Sequence, residues 1–345
     1  TRTQHRLSSH RQWFSPTRLV NRKRTTRQHT PAARHPTTPT TRYSFCYPPL
    51  ELTTTMAFPW LQTPPADPAF YGFPAPAKLN LMLKIVGRRA DGYHLLETVF
   101  RFIDYGDTIW LAPDNSGQIV LETPLPNVAP EHDLTVRAAR ALQQATACQA
   151  GVRIRVDKRL PMGGGLGGGS SDAATTLMAL NQLWELGLSR EALQNIAVKL
   201  GADVPVFIFG EAAFASGIGE ELTTCAVPSA WYVVLHPGVE VATAKIFASE
   251  GLTRNSPKSI MRALETTQQQ NTLQNVVFEM FPEVKNCYDS ISHYGDAMMT
   301  GSGACVFLEC ESQKEAEQVY CSLADEYQGF IAEGLKEHPF YSLSR

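Results

Sequence analysis

The stretch that most constrains this 345-residue chain is Pro161-Met162-Gly163-Gly164-Gly165-Leu166-Gly167-Gly168-Gly169-Ser170-Ser171-Asp172, with six glycines in seven positions. So dense a run fits neither a helix interior nor a strand, because each glycine loses more conformational freedom on ordering than any other residue. It makes sense where several backbone N–H groups must converge on one ligand. Directly behind it, Ala173, Leu177, Leu180 and Trp184 recur at spacings of 4, 3 and 4 and predict an amphipathic helix over 173–186. Ser170, Ser171 and Asp172 are natural N-cap residues for that helix. A glycine turn feeding a helix N-terminus favours phosphate, through both its amides and the helix dipole. The loop is not of the Walker type, since Ser-Ser-Asp stands where Gly-Lys-Ser/Thr is required. A G-x-G-x-x-G can be drawn through Gly163, Gly165 and Gly168, but Lys158–Met162, with Pro161, separates the glycines from any strand, unlike a dinucleotide fold. A flexible linker is the competing reading.

Around this loop the chain alternates strand and helix patterns. Ala77–Ile85 alternates polar and apolar, as a half-buried strand does, and 87–92 supplies turn residues. Further strands are expected at 95–103, 107–111 and 152–156, and helices at 134–143 and 190–200, the latter with Gly201 suited to its C-terminal cap. Ala202-Asp203-Val204-Pro205 enters a short apolar segment. A new apolar strand begins near Trp231–Leu235, after Pro228, which places a boundary between residues 56–228 and 229–345. The Gln-rich stretch 266–274 reads as a surface loop, and no internal repeat has a fixed period. Strands and helices mixed in both parts indicate an α+β fold. Apolar runs such as Val204–Phe209 end after about six residues, against roughly 18 to 20 for a bilayer crossing, so no membrane span is expected.

Charge is unevenly spread. Residues 1–55 carry ten of the 31 Lys and Arg but one of the 33 acids, Glu51, leaving 21 bases against 32 acids for the rest. A body that acidic has no general footprint for nucleic acid, although a local phosphate pocket is compatible with it. The first 55 residues, rich in Arg, Thr, Ser, His and Pro, lack an apolar period and are expected to be disordered. They suit either an over-extended reading frame upstream of Met56 or an organellar transit peptide, so the expected location is the cytoplasm, with a plastid as the alternative. Seven cysteines (46, 148, 225, 287, 305, 310 and 321) without a C-x-x-C pair suit reduced thiols better than a disulfide framework or a zinc site.

Three segments together resemble the motifs of the GHMP kinases, in order and at suitable distances. They are Pro76-Ala77-Lys78-Leu79-Asn80-Leu81, the glycine loop 161–174, and Thr300-Gly301-Ser302-Gly303-Ala304-Cys305. Gly87-Arg88-Arg89-Ala90-Asp91-Gly92-Tyr93-His94, residues 201–207 and Leu252-Thr253-Arg254-Asn255 are similar to a bacterial branch of that family. Its members phosphorylate the 2-hydroxyl of a cytidine-diphosphate-linked methylerythritol, in the non-mevalonate route to isoprenoids. The resemblance covers about residues 70–345 and implies a two-subdomain kinase fold with the active site in the cleft between the subdomains.

The resemblance also implies roles. ATP is the phosphoryl donor, bound by Pro161, Met162, Gly163, Gly164, Gly165, Leu166, Gly167, Gly168, Gly169, Ser170 and Ser171. Asp203 matches the catalytic base and Lys78 the lysine beside it, whose ammonium keeps a carboxylate ionised and stabilises a developing alkoxide. Tyr93 and Phe247 match the aromatics that sandwich cytosine, with His94 reading its polar edge. Asn80 and Thr243 match positions near the methylerythritol hydroxyls. Magnesium is expected with ATP, but no residue matches a firm protein ligand for it; a Ser170 or Ser171 hydroxyl is the one candidate. Asp133-Leu134 departs from the family's usual Asn-Leu, so the adenine pocket is left unassigned. The implied partner is the small cytidine diphosphate substrate alone, with no nucleic acid or membrane, acting on a monomer or homodimer. Homoserine, mevalonate and sugar kinases share the three motifs without needing the cytidine clamp, and a catalytically silent nucleotide-binding module is the alternative of another class.

Overall fold

The computed structural model describes residues 65–126, 128–258 and 270–343, all within one compact unit of the chain. The expectations for residues 1–55 and for Thr266–Gln269 lie outside the described residues.

The backbone of the architecture is one antiparallel ribbon of β1 (Tyr71–Arg88) and β2 (His94–Asp114), running from Tyr71 opposite Leu111 to Arg88 opposite His94. Two separate strands were expected across β2. The chain instead stays extended through 104–106, where Gly106 lets the ribbon close: a Cβ there would lie 2.2 Å from the Ala75 carbonyl oxygen. Period-two alternation sorts β1 into faces. Ala77 and Leu79 pack with Tyr232 and Phe307 in one buried cluster, while Lys78 and Asn80 share the opposite face.

The edge of β2 opposite β1 carries the rest of the sheet. Its C-terminal part pairs with β4 (Gly151–Asp157), which carries β3 (Ile119–Leu121) beyond it in parallel. Thr98–Phe100 pairs with β5 (Ala213–Ser216), and β5 with β6 (Glu221–Thr224). At Phe102 and Ile103 it meets β10 (Gln328–Leu335), which leads on through β7 (Trp231–His236) and β9 (Val306–Cys310) to β8 (Ala297–Met299).

Two large apolar cores form besides that smaller cluster around Tyr232. The first joins Phe73, Phe102 and Ile154 of the sheet to α1 (Leu134–Thr146), α2 (Gly168–Leu183), α3 (Arg190–Ala197) and α4 (Val204–Phe209), through residues such as Leu142, Leu177 and Phe207. The second joins Val233, Leu235 and Val306 to α5 (Thr243–Ala248), α6 (Gln274–Met280), α7 (Pro282–Ile291) and α8 (Gln313–Leu323), with Leu83 and Ile85 of β1 in the same cluster. A short α9 (Pro339–Leu343) returns Phe340 to the first core. Each fully buried Leu or Phe contributes on the order of 1.5 to 3 kcal/mol. The ribbon thus feeds both cores, and the stretch from Lys78 to Asn80 falls between them.

Two local expectations are corrected. Helix α2 begins at Gly168, with left-handed Gly167 as its N-cap and no side-chain cap, so Ser170, Ser171 and Asp172 are already inside the helix. Residues 171–180 are buried on every side against the sheet and neighbouring helices, and a helix so enclosed needs no polar face. The Gln-rich stretch is not a surface loop throughout: Asn271 and Leu273 are buried, and Gln274 opens α6. Of the described helices, none is long and apolar enough to cross a membrane.

Candidate active site

A cleft of about 1040 Å³ opens between the glycine loop, the β1–β2 ribbon and α5. It is lined by Lys78, Asn80, Tyr93, His94, each residue from Pro161 to Ser170, Asp203, Thr243 and Phe247. Ser171 is buried within α2, its hydroxyl has no hydrogen-bond partner among the described residues, and it does not line the cleft. The remaining site candidates read from the sequence therefore share one cavity, although they come from five separate segments.

The glycine loop is held by its carbonyls. Gly163 O accepts from Ala304 N (2.8 Å), Gly164 O from Cys305 N (3.1 Å) and Leu166 O from Lys78 N (3.0 Å). Gly165 O accepts from Lys78 Nζ (2.9 Å) and from the Thr300 hydroxyl (3.3 Å). With those oxygens engaged, amide N–H is what the loop has left for a ligand, at the mouth of α2, where the helix dipole favours an anion. At Gly165 the need for glycine is steric as well as conformational. Its φ is +75°, and a Cβ would lie 2.2 Å from Thr300 O and 3.0 Å from Gly303 O. Asn271 secures the far side of this contact, donating from Nδ2 to Met299 O and Gly301 O, each at 2.7 Å.

Lys78 is almost fully enclosed, at 2% side-chain exposure, yet its ammonium is well supplied with acceptors. It donates to Asn80 Oδ1 (2.5 Å) and Gly165 O (2.9 Å) and stands 3.5 Å from Asp203 Oδ2. Burial pulls its pKa down from the ordinary lysine value, opposed by the Asp203 carboxylate. Asp203 stands at the N-cap position of α4, where a Pro205-containing turn follows, and its side chain is 38% exposed on the cleft side of the pair. Asn80 is oriented by Thr98, whose hydroxyl accepts from Asn80 Nδ2 (2.8 Å) and donates to Met82 O (2.6 Å). Across the cleft, the Thr243 and Ser302 hydroxyls are 2.7 Å apart.

The far end is aromatic. The His94 and Phe247 rings are 5.1 Å apart at 40°, and Tyr93 beside them is 61% exposed, a large apolar surface left open at the cleft. Burial, then the charges of Arg254 and Arg88, hold the His94 pKa below the ordinary histidine value. Arg254 Nε donates to His94 Nε2 at 3.1 Å.

Sequence reading missed a polar group under the glycine loop. Lys158 Nζ bridges Asp107 Oδ2 (2.5 Å) and Asp172 Oδ2 (2.8 Å), while Asp107 Oδ1 accepts from the amides of Arg159 and Leu160. Burial lowers the Lys158 pKa, but the two carboxylates outweigh it and raise the value. Burial raises that of Asp172, as expected when two enclosed carboxylates share one ammonium. Their spacing, 107, 158 and 172, leaves no pattern in the sequence; only the packing of α2 on β2 and β4 brings them together. Among the described residues, no three His, Cys, Asp or Glu side chains gather where a metal ion could be held.

An amide-rich loop at a helix mouth, a buried lysine paired with a carboxylate, and a fold of two cores sharing one ribbon are the marks of a small-molecule kinase, and the chain belongs to the GHMP kinases. The N-terminal domain model of that family matches residues 133–211 and the C-terminal domain model residues 248–329. More narrowly, the chain is 57% identical over 276 residues to the 4-diphosphocytidyl-2-C-methyl-D-erythritol kinase of Chromobacterium violaceum, covering 79% of this chain and 97% of that one. It is 55% identical to the enzyme of the same name from Thiobacillus denitrificans, covering 78% and 97%. A crystal structure of 4-(cytidine 5'-diphospho)-2C-methyl-D-erythritol kinase matches with a TM-score of 0.68 at 33% identity, over 76% of this chain and 99% of that one. A homoserine kinase from Cytophaga hutchinsonii matches at TM-score 0.61 with 15% identity, over 80% and 98%, which speaks for the fold alone.

Proposed function

We propose that this chain transfers the γ-phosphoryl group of ATP to the 2-hydroxyl of 4-diphosphocytidyl-2-C-methyl-D-erythritol, giving the 2-phosphate and ADP. The observation that carries this reading is the order of groups along one cleft. A phosphate-binding loop and the Lys78–Asp203 pair lie at one end, and an aromatic and histidine clamp of the right character for a pyrimidine lies at the other.

Phosphoryl transfer asks a protein mainly to position its reactants and to stabilise charge. The glycine-loop amides hold the triphosphate. Tyr93 and Phe247 stack on the cytosine and His94 meets its edge, so the alcohol is placed by binding energy gained far from it. Asp203 takes the proton of the 2-hydroxyl as its oxygen attacks the γ-phosphorus and the bond to the β–γ bridging oxygen breaks. Such a base contributes roughly 100- to 10,000-fold. Lys78, fixed by Asn80 and Gly165 and 3.5 Å from Asp203, stabilises negative charge on the attacking oxygen. Asn80 and Thr243 border the methylerythritol hydroxyls. Magnesium is proposed to accompany ATP, where it would neutralise charge on the phosphates; a Ser170 or Ser171 hydroxyl is the one protein candidate for it. The reaction is proposed to run in the cytoplasm, in a monomer or homodimer.

A substrate panel tests the reading. Purified protein should release ADP with the cytidylyl substrate and not with homoserine, mevalonate or galactose. Turnover of one of those three, with the cytidylyl compound ignored, would overturn it in favour of another kinase of the family. Nucleotide binding with no turnover of any of the four would make the chain a silent module.

A further inference from the structure

The nucleobase end of the cleft contains a charged residue that lies outside the cavity wall. Arg254 follows α5 in the chain, and its guanidinium is fastened by backbone carbonyls: Nη1 donates to Leu252 O (3.2 Å), and Nη2 to Ser249 O (2.6 Å) and Phe247 O (3.4 Å). Its Nε–H points at His94 Nε2 at 3.1 Å. One side chain thus ties together the two elements that supply the clamp, the start of β2 and the end of α5.

The chemistry of this contact has one outcome. A guanidinium has donors only and does not lose its proton in a protein. The His94 Nε2 that receives it must offer a lone pair, so the neutral ring carries its hydrogen on Nδ1. Nδ1–H makes no protein hydrogen bond among the described residues, and His94 lines the cleft. We propose that Arg254 is a positioning residue that locks His94 in the Nδ1–H form, so that the base site presents a fixed donor and selects cytosine over uracil. At ring position N3 cytosine offers a lone pair, whereas uracil offers N–H, which would meet another donor. Two donors face to face in a half-buried site are penalised more heavily than the mere absence of one hydrogen bond.

The charges around the ring act in the same direction. Arg254 and Arg88 both disfavour imidazolium, adding to burial, while Asp91 in the preceding turn accepts from the Tyr93 amide. The ring is therefore harder to protonate than an ordinary histidine. This inference rests on the reading of the cleft as a cytidine site, and its two experimental arms separate the two claims.

The first arm is long-range 1H–15N NMR of the free protein between pH 5 and 8, with the His94 signals assigned by their loss in His94→Gln. Wild type should show a pyrrole-type Nδ1 and a pyridine-type Nε2, with a midpoint below that of exposed histidines. Arg254→Met should mix the tautomers and raise the midpoint. The second arm is kinetic. Arg254→Met should raise KM for the cytidylyl substrate roughly 10- to 100-fold. It should leave kcat and KM for ATP within about threefold, and should narrow the preference over the uridylyl analogue by about tenfold. Arg254→Lys, which keeps a charged donor, should recover part of that preference. A merely structural role would weaken both nucleotides equally and leave the tautomer alone. An Nε2–H tautomer in wild type, or an unchanged preference in Arg254→Met, overturns the proposal. If Arg254→Met does not fold, the wild-type tautomer and the preference of Arg254→Lys decide. Should the cytidylyl compound prove not to be a substrate, the proposed function falls, while the tautomer still reports whether Arg254 sets the state of His94.

Discussion

Replacing Asp203 with Asn removes a negative charge and almost nothing else, so its effect can be worked out from the groups around it. The side chain makes no capping bond to α4, and the local backbone is ordinary right-handed helix-like at φ −87°, ψ −8°, which Asn adopts freely. The substitution abolishes the ion pair with Lys78 Nζ at 3.5 Å. Two unit charges at that separation attract by about 5 kcal/mol at an effective dielectric of 20 and about 1 kcal/mol in water. With Asp203 partly open to solvent, the lower part of that range applies, and unfolding in urea should show a loss of about 1 to 2 kcal/mol. Lys78 then retains Asn80 and Gly165 as acceptors but no longer has the carboxylate that opposes the downward pull of burial. Catalysis should fall far more than stability. Loss of the base is expected to cost roughly 100- to 10,000-fold in kcat, with KM for both substrates within about threefold. The assay is coupled ADP release at saturating substrates. Lys78→Met should also be severely impaired, and the double variant should be little worse than the poorer single one, because residues that act as a unit are not additive. A kcat within tenfold of wild type in Asp203→Asn would show that the carboxylate does not remove the proton.

Three further outcomes rest on particular side chains. Gly165→Ala puts a Cβ 2.2 Å from the Thr300 carbonyl at a positive φ, so the loop must separate from the 300–304 turn. Calorimetry should find binding of a non-hydrolysable ATP analogue abolished or reduced by at least about tenfold; tight binding would mean the loop can move without cost. Tyr93→Ala removes an exposed ring, so unfolding should be unchanged within about 0.5 kcal/mol. KM for the cytidylyl substrate should nevertheless rise roughly 10- to 100-fold because the base has one stacking surface fewer, and an unaltered KM would remove Tyr93 from the clamp. His338 is fully enclosed among Phe102, Phe207 and Tyr341, and burial pushes its pKa down to about 3. The unfolded chain binds a proton near pH 6.5 that the folded one refuses, so this group's contribution to stability is whole above 6.5 and is lost as pH falls toward 3. Between pH 7 and 5 it should account for about 2 kcal/mol of destabilisation. In His338→Asn, where an amide oxygen replaces Nδ1 as acceptor for the Phe340 amide, that acid limb should flatten; an unchanged slope would assign it to other groups.

What could be read along the chain was whatever depends on near neighbours. The strand alternation of 77–85, the helices at 134–143 and 190–200, and the demand of 163–169 for a ligand-facing turn all rest on spacings of two to four residues. The glycine loop marked the proposed phosphate site because so dense a run of glycines, costly to order, calls for a backbone reason. Even so, local signals erred where tertiary contact intervened. Ser170, Ser171 and Asp172 look like caps, yet left-handed Gly167 starts the helix a turn earlier, and buried Asp172 is bound to Lys158. Beyond residue 230, α7 and α8 carry a helical period, with buried Val284, Cys287 and Ile291 and then Ala316, Val319 and Leu323 at spacings of 3 and 4, whereas strands buried on both faces, such as β7 and β8, need not alternate. The meeting of Lys78 with Asp203, 125 residues away, and of Arg254 with His94 was decided by the ribbon that links the two cores. Side-chain chemistry is written residue by residue, whereas an ammonium 3.5 Å from a carboxylate, or a guanidinium aimed at one ring nitrogen, exists only after long-range packing has offset the entropy of closing those loops.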